Sequence, residues 1–293
     1  MWTRSGNASR RRDSKSMSRL ERTFETLRRR GRHGLVTFTT AGDPDLERSA
    51  EILQVLDRAG ADVLEVGVPF SDPLADGPVI QRASERALRA GATLARVLDL
   101  VAEVRPDISA GIVLFTYANP VVRMGTTRFV ERAAAAGVDG VLALDLPIEE
   151  ADRFRDATLG AGIDPIFLLR PPTPDARIRR AAELGRGFLY GISRLGVTGA
   201  RSALADGAEA LVGRIRRATD LPVALGFGIS RPEHVAEVGR WADAAVVGSA
   251  LIDVISRAAP DRVLGDVERY VRWLRGEVDT PAGRAASVGA GEQ

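Results

Sequence analysis

The sequence of 293 residues lacks most of the side chains that catalyse reactions in other proteins. Cysteine is absent, which excludes disulfides, thiolate nucleophiles and cysteine-ligated zinc or iron–sulfur sites. The two histidines, His33 and His234, are too few for a histidine-rich metal cluster, and we expect no metal site. Lys15 is the single lysine and precedes the folded body, so that a Schiff-base lysine is implausible. Proton transfer therefore falls mainly to carboxylates and tyrosine.

The overall proportions of apolar and charged residues match those of an ordinary globular protein, but the basic residues are concentrated near the amino terminus. No apolar run reaches the roughly 18 residues that a membrane span needs. Residues 1–33 carry 11 of the 41 Lys and Arg but 3 of the 39 Asp and Glu, so the remaining chain is mildly acidic. We interpret residues 1–17 as a disordered basic leader, with a nucleic-acid-binding arm or a transit peptide as alternatives. The leader lacks the apolar segment of a secretory signal, and we expect a cytoplasmic protein.

Mostly apolar, β-rich runs alternate with helix-period segments along the body, which predicts an α/β protein. The eight predicted strands are residues 35–40, 62–67, 111–116, 140–145, 164–169, 187–193, 222–227 and 243–248. This pattern predicts a single (β/α)8 TIM barrel over residues 18–275, followed by a disordered tail over 276–293. We expect an extra amphipathic helix over residues 17–30 and an extra helix after strand two. An open doubly wound sheet is the alternative, but its G-x-G-x-x-G fingerprint is missing.

The second predicted strand contains a charged residue in the middle of an apolar pattern. Glu65 shares a strand face with Val63 and Gly67, and the carboxyl ends of barrel strands are where active sites form. The loop that follows holds Asp72 and Asp76 between prolines and glycines, which restrict its shape. Two carboxylates beside one substrate can divide acid and base roles. The alternatives are a rim-exposed or arginine-paired Glu65 and aspartates that cap turns.

Three glycine-rich turns follow the last three predicted strands and predict a phosphate site. Glycine lets the backbone approach an anion, and the amide groups at a helix start bind it. TIM barrels often place a phosphate at the loops after strands seven and eight. Because the body has no lysine, backbone and hydroxyl donors would supply most contacts, with Arg194 as the nearby cation. The alternative is that each glycine serves a steric role.

Motifs at the end of nearly every predicted strand resemble the tryptophan synthase α-chain family. The matches are collinear over roughly residues 18–275 and are residues 39–44 (TTAGDP), 65–78 (EVGVPFSDPLADGP), 117–120 (YANP), 145–147 (DLP), Tyr190 with 193–200 (SRLGVTGA), 226–230 (GFGIS) and 248–249 (GS). The resemblance implies a lyase that cleaves indole-3-glycerol phosphate, by retro-aldol chemistry, to indole and glyceraldehyde 3-phosphate.

The resemblance also assigns roles to individual residues. It implies that Glu65 and Asp76 are the catalytic carboxylates and Tyr190 is the active-site tyrosine. Further substrate contacts, phosphate contacts and loop residues are implied at Phe38 and Tyr117 (indole pocket), Thr198 (loop that closes toward Asp76), and Gly199, Gly228, Gly248 and Ser249 (phosphate). Arg170 and Thr37 depart from the residues common in the family. Neither departure affects Glu65 or Asp76.

The resemblance further implies a partner. The chain itself would need no cofactor, and a β chain holding PLP would join it in an α2β2 complex and convert indole to tryptophan. The predicted contacts with this partner are Pro69, Asp72 and Asn119, in the loops after strands two and three. The alternatives are a stand-alone lyase, another phosphate-binding barrel of the same pathway, and a binding subunit without activity. The second alternative is disfavoured because those relatives use a lysine or a cysteine.

Overall fold

The computed structural model describes residues 17–192, 201–226 and 228–279, with 201–206 described by their backbone alone. The strands in this part are β1 (Gly34–Thr40), β2 (Val63–Gly67), β3 (Gly111–Thr116), β4 (Gly140–Ala143), β5 (Asp164–Pro165), β6 (Phe167–Leu169), β7 (Leu189–Ile192), β8 (Val223–Gly226) and β9 (Ala244–Val247). The α-helices are α1 (Arg19–Arg29), α2 (Leu46–Arg58), α3 (Pro78–Arg89), α4 (Leu94–Val104), α5 (Ala118–Met124), α6 (Thr126–Ala135), α7 (Asp152–Gly160), α8 (Asp175–Leu184), α9 (Arg201–Ala218), α10 (Pro232–Val238), α11 (Ser249–Arg257) and α12 (Val263–Leu274). Within these ranges, no helix combines the length and the apolar character that crossing a membrane requires.

All strands run parallel in one sheet with the order β5-β4-β3-β2-β1-β9-β8-β7-β6. β5 and β6 stand at opposite ends of this order, yet Ile166 alone separates them along the chain. The sheet therefore curls into a nearly closed barrel. This confirms the predicted (β/α)8 TIM barrel, with the extra helix α1 before β1 and two helices, α3 and α4, after β2.

The fifth predicted strand, residues 164–169, is wrong in one respect because it forms two strands instead of one. Asp164 donates its amide to the Asp139 carbonyl before β4 at 2.9 Å, whereas Pro165 faces the opposite neighbour, to which it has no amide hydrogen to donate. The amide of Ile166 donates to the carbonyl of Val141 at 2.9 Å, and from Phe167 onward the chain pairs with β7 instead. The other strands differ from the prediction only at their ends. Residues 1–16 and 280–293 lie outside the described residues, so the division into leader, barrel and tail stays a prediction.

Successive side chains of each strand point to opposite faces of the sheet, and this divides the core into two layers. The outer layer lies between strands and helices and includes Leu35, Leu64 and Val66. The inner layer fills the barrel and includes Val36 and Val63. Every second residue of a strand therefore faces the barrel interior, which is how the fold brings side chains of different strands together.

Helix α1 closes the amino-terminal end of the barrel. Leu20, fully buried, packs with Phe24 and Leu27 into the inner layer. A Cβ atom on Gly111 or Gly140 would lie 2.5 or 2.9 Å from the Leu20 side chain, so these strand starts leave room for it. The amino end of α1 is fixed by a capping box between Ser18 and Glu21. Access to the interior is thus left to the opposite end, where the strands end.

We expect the substitution Leu20→Ala to lower the free energy of unfolding by about 2–5 kcal/mol, because it opens a cavity at the closed end of the barrel. Urea unfolding measures the change. Leu74→Ala is the matched control, since Leu74 is 92% exposed. Equal stability of the two variants would show that α1 does not seal the barrel.

Candidate functional site

Glu65 lies inside the barrel. In the parallel register, Glu65 pairs with Phe38 on one side and with Val113 on the other, and paired residues face the same side of the sheet. Phe38 and Val113 belong to the inner layer, so the Glu65 side chain also points inward. Its exposure is 0%. The rim-exposed alternative for Glu65 is therefore wrong.

The carboxyl group of Glu65 is buried without a partner. Among the described residues, no hydrogen bond reaches either of its two oxygens, which also excludes a described arginine as its ion-pair partner. Burial disfavours the charged form and raises the pKa of Glu65 from 4.5 to about 8. Near neutral pH the group is therefore a neutral acid with a proton to give.

Asp76 lies on the loop between β2 and α3, in a less enclosed place. The hydroxyl of Tyr117 donates to Asp76 Oδ2 at 3.1 Å and accepts from the amide of Ala75 at 3.1 Å. Burial raises the pKa of Asp76 to about 6, and the hydrogen bond from Tyr117 opposes that rise. At neutral pH, Asp76 is therefore mostly ionised while Glu65 is neutral. Such a separation of pKa values is what an acid and a base at one site require.

Aromatic side chains line the interior beside Glu65. The rings of Phe38 and Phe115 meet edge to face with centroids 5.0 Å apart. A Cβ on Gly67 would lie 2.6 Å from the Phe38 ring, so this ring position requires glycine at the end of β2. Tyr190 is buried in the same layer, and its pKa is raised by burial and, to a smaller extent, by Glu65.

Two aromatic residues of this region were missed by the sequence analysis. Phe115 follows Val113 on the inward face of β3, so strand alternation alone would have indicated it. Phe70 packs against Tyr117 with ring centroids 4.9 Å apart. It lies on the loop after β2, where no periodicity predicts the direction of a side chain.

Of the residues predicted to bind phosphate, Gly228, Gly248 and Ser249 lie within the described ranges. Gly226 of β8 pairs with Val246 of β9, so Gly228 and Gly248 follow neighbouring strand ends. Gly228 has φ 53°, a conformation that favours glycine. Helix α11 begins at Ser249 directly after Gly248, as the sequence predicts. Thr198 and Gly199, together with the candidate cation Arg194, lie outside the described residues.

The predicted partner contacts differ in exposure. Asp72 and Asn119 are exposed, whereas Pro69 is buried within the chain. Asp72 accepts a hydrogen bond from the Ser71 hydroxyl at 2.6 Å, which is a contact between adjacent side chains and not an Asx-turn or a helix cap. Arg170 is exposed at the end of β6. Because Pro69 is buried, it fixes the shape of the loop and leaves little surface for a partner to contact.

Within the described ranges, no group of three or more His, Asp or Glu side chains is placed to hold a metal ion. The site instead consists of one neutral carboxylic acid, one ionised carboxylate and an aromatic lining. Such a set of groups can transfer protons at an aromatic substrate.

Comparisons with known proteins agree on one family. The family model described as "Tryptophan synthase alpha chain" matches residues 24–275. The tryptophan synthase alpha chain of Synechocystis sp. is 46% identical over 253 residues, covering 86% of this chain and 96% of the relative. That of Citrifermentans bemidjiense is 48% identical over 259 residues, covering 88% and 97%.

Solved structures give the same result. The subunit alpha of tryptophan synthase from Legionella pneumophila superposes with a TM-score of 0.82 at 35% identity, covering 89% of this chain and 98% of that one. A chain of Mycobacterium tuberculosis tryptophan synthase gives a TM-score of 0.81 at 35% identity, covering 90% and 100%.

The pKa of Glu65 predicts how stability depends on pH. The folded-state value of about 8 lies above the ordinary 4.5, so the folded chain keeps a proton that the unfolded chain releases. The stabilisation that the retained proton gives to the folded state is complete below the ordinary pKa. The free energy of unfolding then falls by about 1.4 kcal/mol per pH unit as the pH rises to the folded-state pKa. Glu65→Gln cannot ionise, so its stability relative to the wild type should increase from about pH 5 to about pH 8.

Urea unfolding across that pH range measures the effect, with Asp99→Asn as the control at an exposed carboxylate. A stability difference between Glu65→Gln and wild type that does not vary with pH would contradict the raised pKa.

Proposed function

Since the chain belongs to the tryptophan synthase alpha chain family and is a lyase of tryptophan biosynthesis, we propose that Glu65 and Asp76 carry out its reaction. That reaction is the cleavage of indole-3-glycerol phosphate to indole and glyceraldehyde 3-phosphate. The observation that supports this assignment most strongly is the carboxyl of Glu65, buried among aromatic rings without a hydrogen-bond partner among the described residues. A buried polar group without a partner is costly, and a bound substrate supplies the missing contact.

The proposed steps conserve protons. Neutral Glu65 donates its proton to C3 of the indole ring, which leaves a positive charge spread to the ring nitrogen. Ionised Asp76 accepts a hydrogen bond from the indole N–H and stabilises that charge. The Glu65 carboxylate then takes the proton of the glycerol hydroxyl next to the ring while the carbon–carbon bond breaks. The bond electrons restore the aromatic ring, the hydroxyl becomes the aldehyde, and Glu65 is neutral again.

The remaining site residues are proposed to bind the two ends of the substrate. Phe38, Tyr117 and Tyr190 supply the apolar walls that an indole ring requires, and all three are buried. Gly228, Gly248 and Ser249 follow neighbouring strand ends, where the start of α11 points amide groups toward an anion. The proposal assigns Gly199 to the phosphate and Thr198 to the closing loop on the sequence resemblance alone.

We further propose that a tryptophan synthase β chain, which carries the PLP, binds over the barrel mouth in an α2β2 complex. Two apolar side chains support this location, since Leu74 is 92% exposed and Val122 is 70% exposed. They follow β2 and β3, in the same segments as the proposed contacts Asp72 and Asn119. Because β2 and β3 are neighbouring strands, both side chains follow adjacent strand ends, and an apolar patch there would be typical of an interface. We place the reaction in the cytoplasm, and this chain itself requires no cofactor for the steps above.

Replacing Glu65 tests the assignment of the acid. Glu65→Gln keeps the shape of the side chain but cannot donate a proton, so kcat for indole release should fall by about 10²–10⁴-fold. Steady-state assays with indole-3-glycerol phosphate measure it. Glu85→Gln makes the same exchange on the exposed face of α3 and should leave kcat unchanged. A Glu65→Gln variant that keeps most of its activity would refute the role.

Replacing Asp72 tests the partner. Asp72 lies four residues before Asp76, so a β chain that contacts Asp72 would also affect the position of Asp76. Asp72→Ala should then reduce the activation by a β chain more than it reduces the activity of the isolated chain. Titrating the β chain against wild type and Asp72→Ala measures this. Asp99→Ala is the control, because Asp99 is exposed in the middle of α4 and not on the loops after β2 and β3. Activation curves for wild type and Asp72→Ala that differ by a constant factor would reject this role of Asp72.

A further inference from the structure

The two proposed catalytic carboxylates are held in very different ways. Glu65 belongs to a strand at the centre of the sheet. Asp76 belongs to a loop in which Asp72, Leu74 and Ala75 are all exposed. We propose that the ion pair between Arg86 and Asp43 is a positioning device for Asp76, acting through helix α3 and Gln81. This inference rests on the proposed role of Asp76.

Gln81 connects the start of α3 to the turn that carries Asp76. Its side-chain Nε2 donates to the carbonyl of Asp76 at 2.9 Å and to the carbonyl of Pro73 at 3.4 Å. The amide of Asp76 closes the same turn by donating to the Pro73 carbonyl at 3.0 Å. The position of this turn therefore depends on where the first turn of α3 lies.

Arg86, five residues further along α3, attaches that helix to the turn after β1. Its Nε donates to Asp43 Oδ1 and its terminal nitrogen to Asp43 Oδ2, both at 2.7 Å. The Asp43 side chain is 2% exposed, whereas that of Arg86 is 36% exposed. This bidentate (two-point) geometry fixes the orientation of the Arg86 guanidinium as well as its distance from Asp43. A lysine ammonium group cannot reproduce it.

The turn after β1 also packs directly against α3. Gly42 has φ 92°, and a Cβ there would lie 3.2 Å from the Ala87 Cβ and 2.5 Å from the Ala92 Cβ. The amide of Gly42 donates to the Ser49 hydroxyl at 2.9 Å, which ties the turn to α2. The ion pair therefore acts between two surfaces already in contact, where a small shift changes its geometry.

These contacts link the supports of the two carboxylates. β1 is registered to β2 through Phe38 and Glu65, and it continues into the turn that holds Asp43. From Asp43 the path runs through Arg86 and α3 to Gln81 and the turn of Asp76. The ion pair thereby sets where Asp76 stands relative to Glu65. A displacement of about 1 Å at a reacting group can cost about 10²-fold in rate.

The test compares Arg86→Lys with Arg89→Lys. The first variant keeps the charge opposite Asp43 but loses the two-point geometry, and the second changes an exposed arginine of the same helix. For Arg86→Lys we expect kcat for indole release to fall at least about tenfold, with little change in KM or melting temperature. Arg89→Lys should match the wild type. An Arg86→Lys variant with kcat within twofold of the wild type would overturn the inference.

The pH profile of kcat separates positioning from stability. In the wild type, activity should be lost on the acid side as Asp76 is protonated, with its raised pKa of about 6. In Arg86→Lys this limb should shift to lower pH, because a displaced Asp76 becomes more hydrated and burial affects its pKa more than the opposing Tyr117 hydrogen bond does. A reduced kcat with an unshifted acid limb, or one that falls only together with the melting temperature, would show that the ion pair merely stabilises the fold.

Gln81→Met tests the other end of the proposed connection, and Arg82→Met, at an exposed neighbouring position, is its control. If Arg86 and Gln81 act along one path, the double variant should lose less activity than the product of the two single losses. Independent, multiplicative losses would contradict the path. Asp76→Asn in the same assay keeps the two proposals apart. If it retains wild-type kcat, the role of Asp76 itself is wrong; if it loses activity while Arg86→Lys does not, only the positioning role falls.

Discussion

The enclosure of one carboxyl group, that of Glu65, is the constraint on which the site depends. A parallel barrel directs every second side chain inward, and helix α1 closes the far end with Leu20. Because no described residue bonds to the Glu65 oxygens, burial alone sets the protonation of the group. The fold thereby makes a proton donor out of a residue that is normally ionised at neutral pH. Neither a metal ion nor a second protein base is needed for the proposed steps.

Asp76 complements this group because its surroundings are different. It is only partly enclosed, and the hydroxyl of Tyr117 stabilises its charged form. A loop residue can respond to what binds at the barrel mouth, whereas a residue on a central strand cannot move without disturbing the sheet. Glu65 is therefore held by a central strand, whereas Asp76 lies on a loop at the mouth. This arrangement suits an enzyme whose partner is proposed to bind over that mouth.

The fold and the acid were predictable from local patterns, but the contacts between loops were not. Strand and helix periods indicated the eight βα units, and a charge within an apolar strand indicated Glu65. The split at Ile166 was missed because it depends on which neighbour each half of the strand pairs with. The Tyr117–Asp76 hydrogen bond joins residues 41 positions apart, and no local pattern specifies it. The roles of the individual site residues remain proposals that the geometry supports.

The central claim is that Glu65 is a neutral acid in the folded chain at neutral pH. Infrared spectroscopy tests it directly, because protonated and ionised carboxyl groups absorb at different frequencies. The difference between spectra of wild type and Glu65→Gln isolates this carboxyl from Asp76 and Asp164, whose pKa values are also raised by burial. We expect the protonated band of Glu65 to persist at neutral pH and to disappear with an apparent pKa of about 8. Disappearance near the ordinary value of 4.5 would contradict the account.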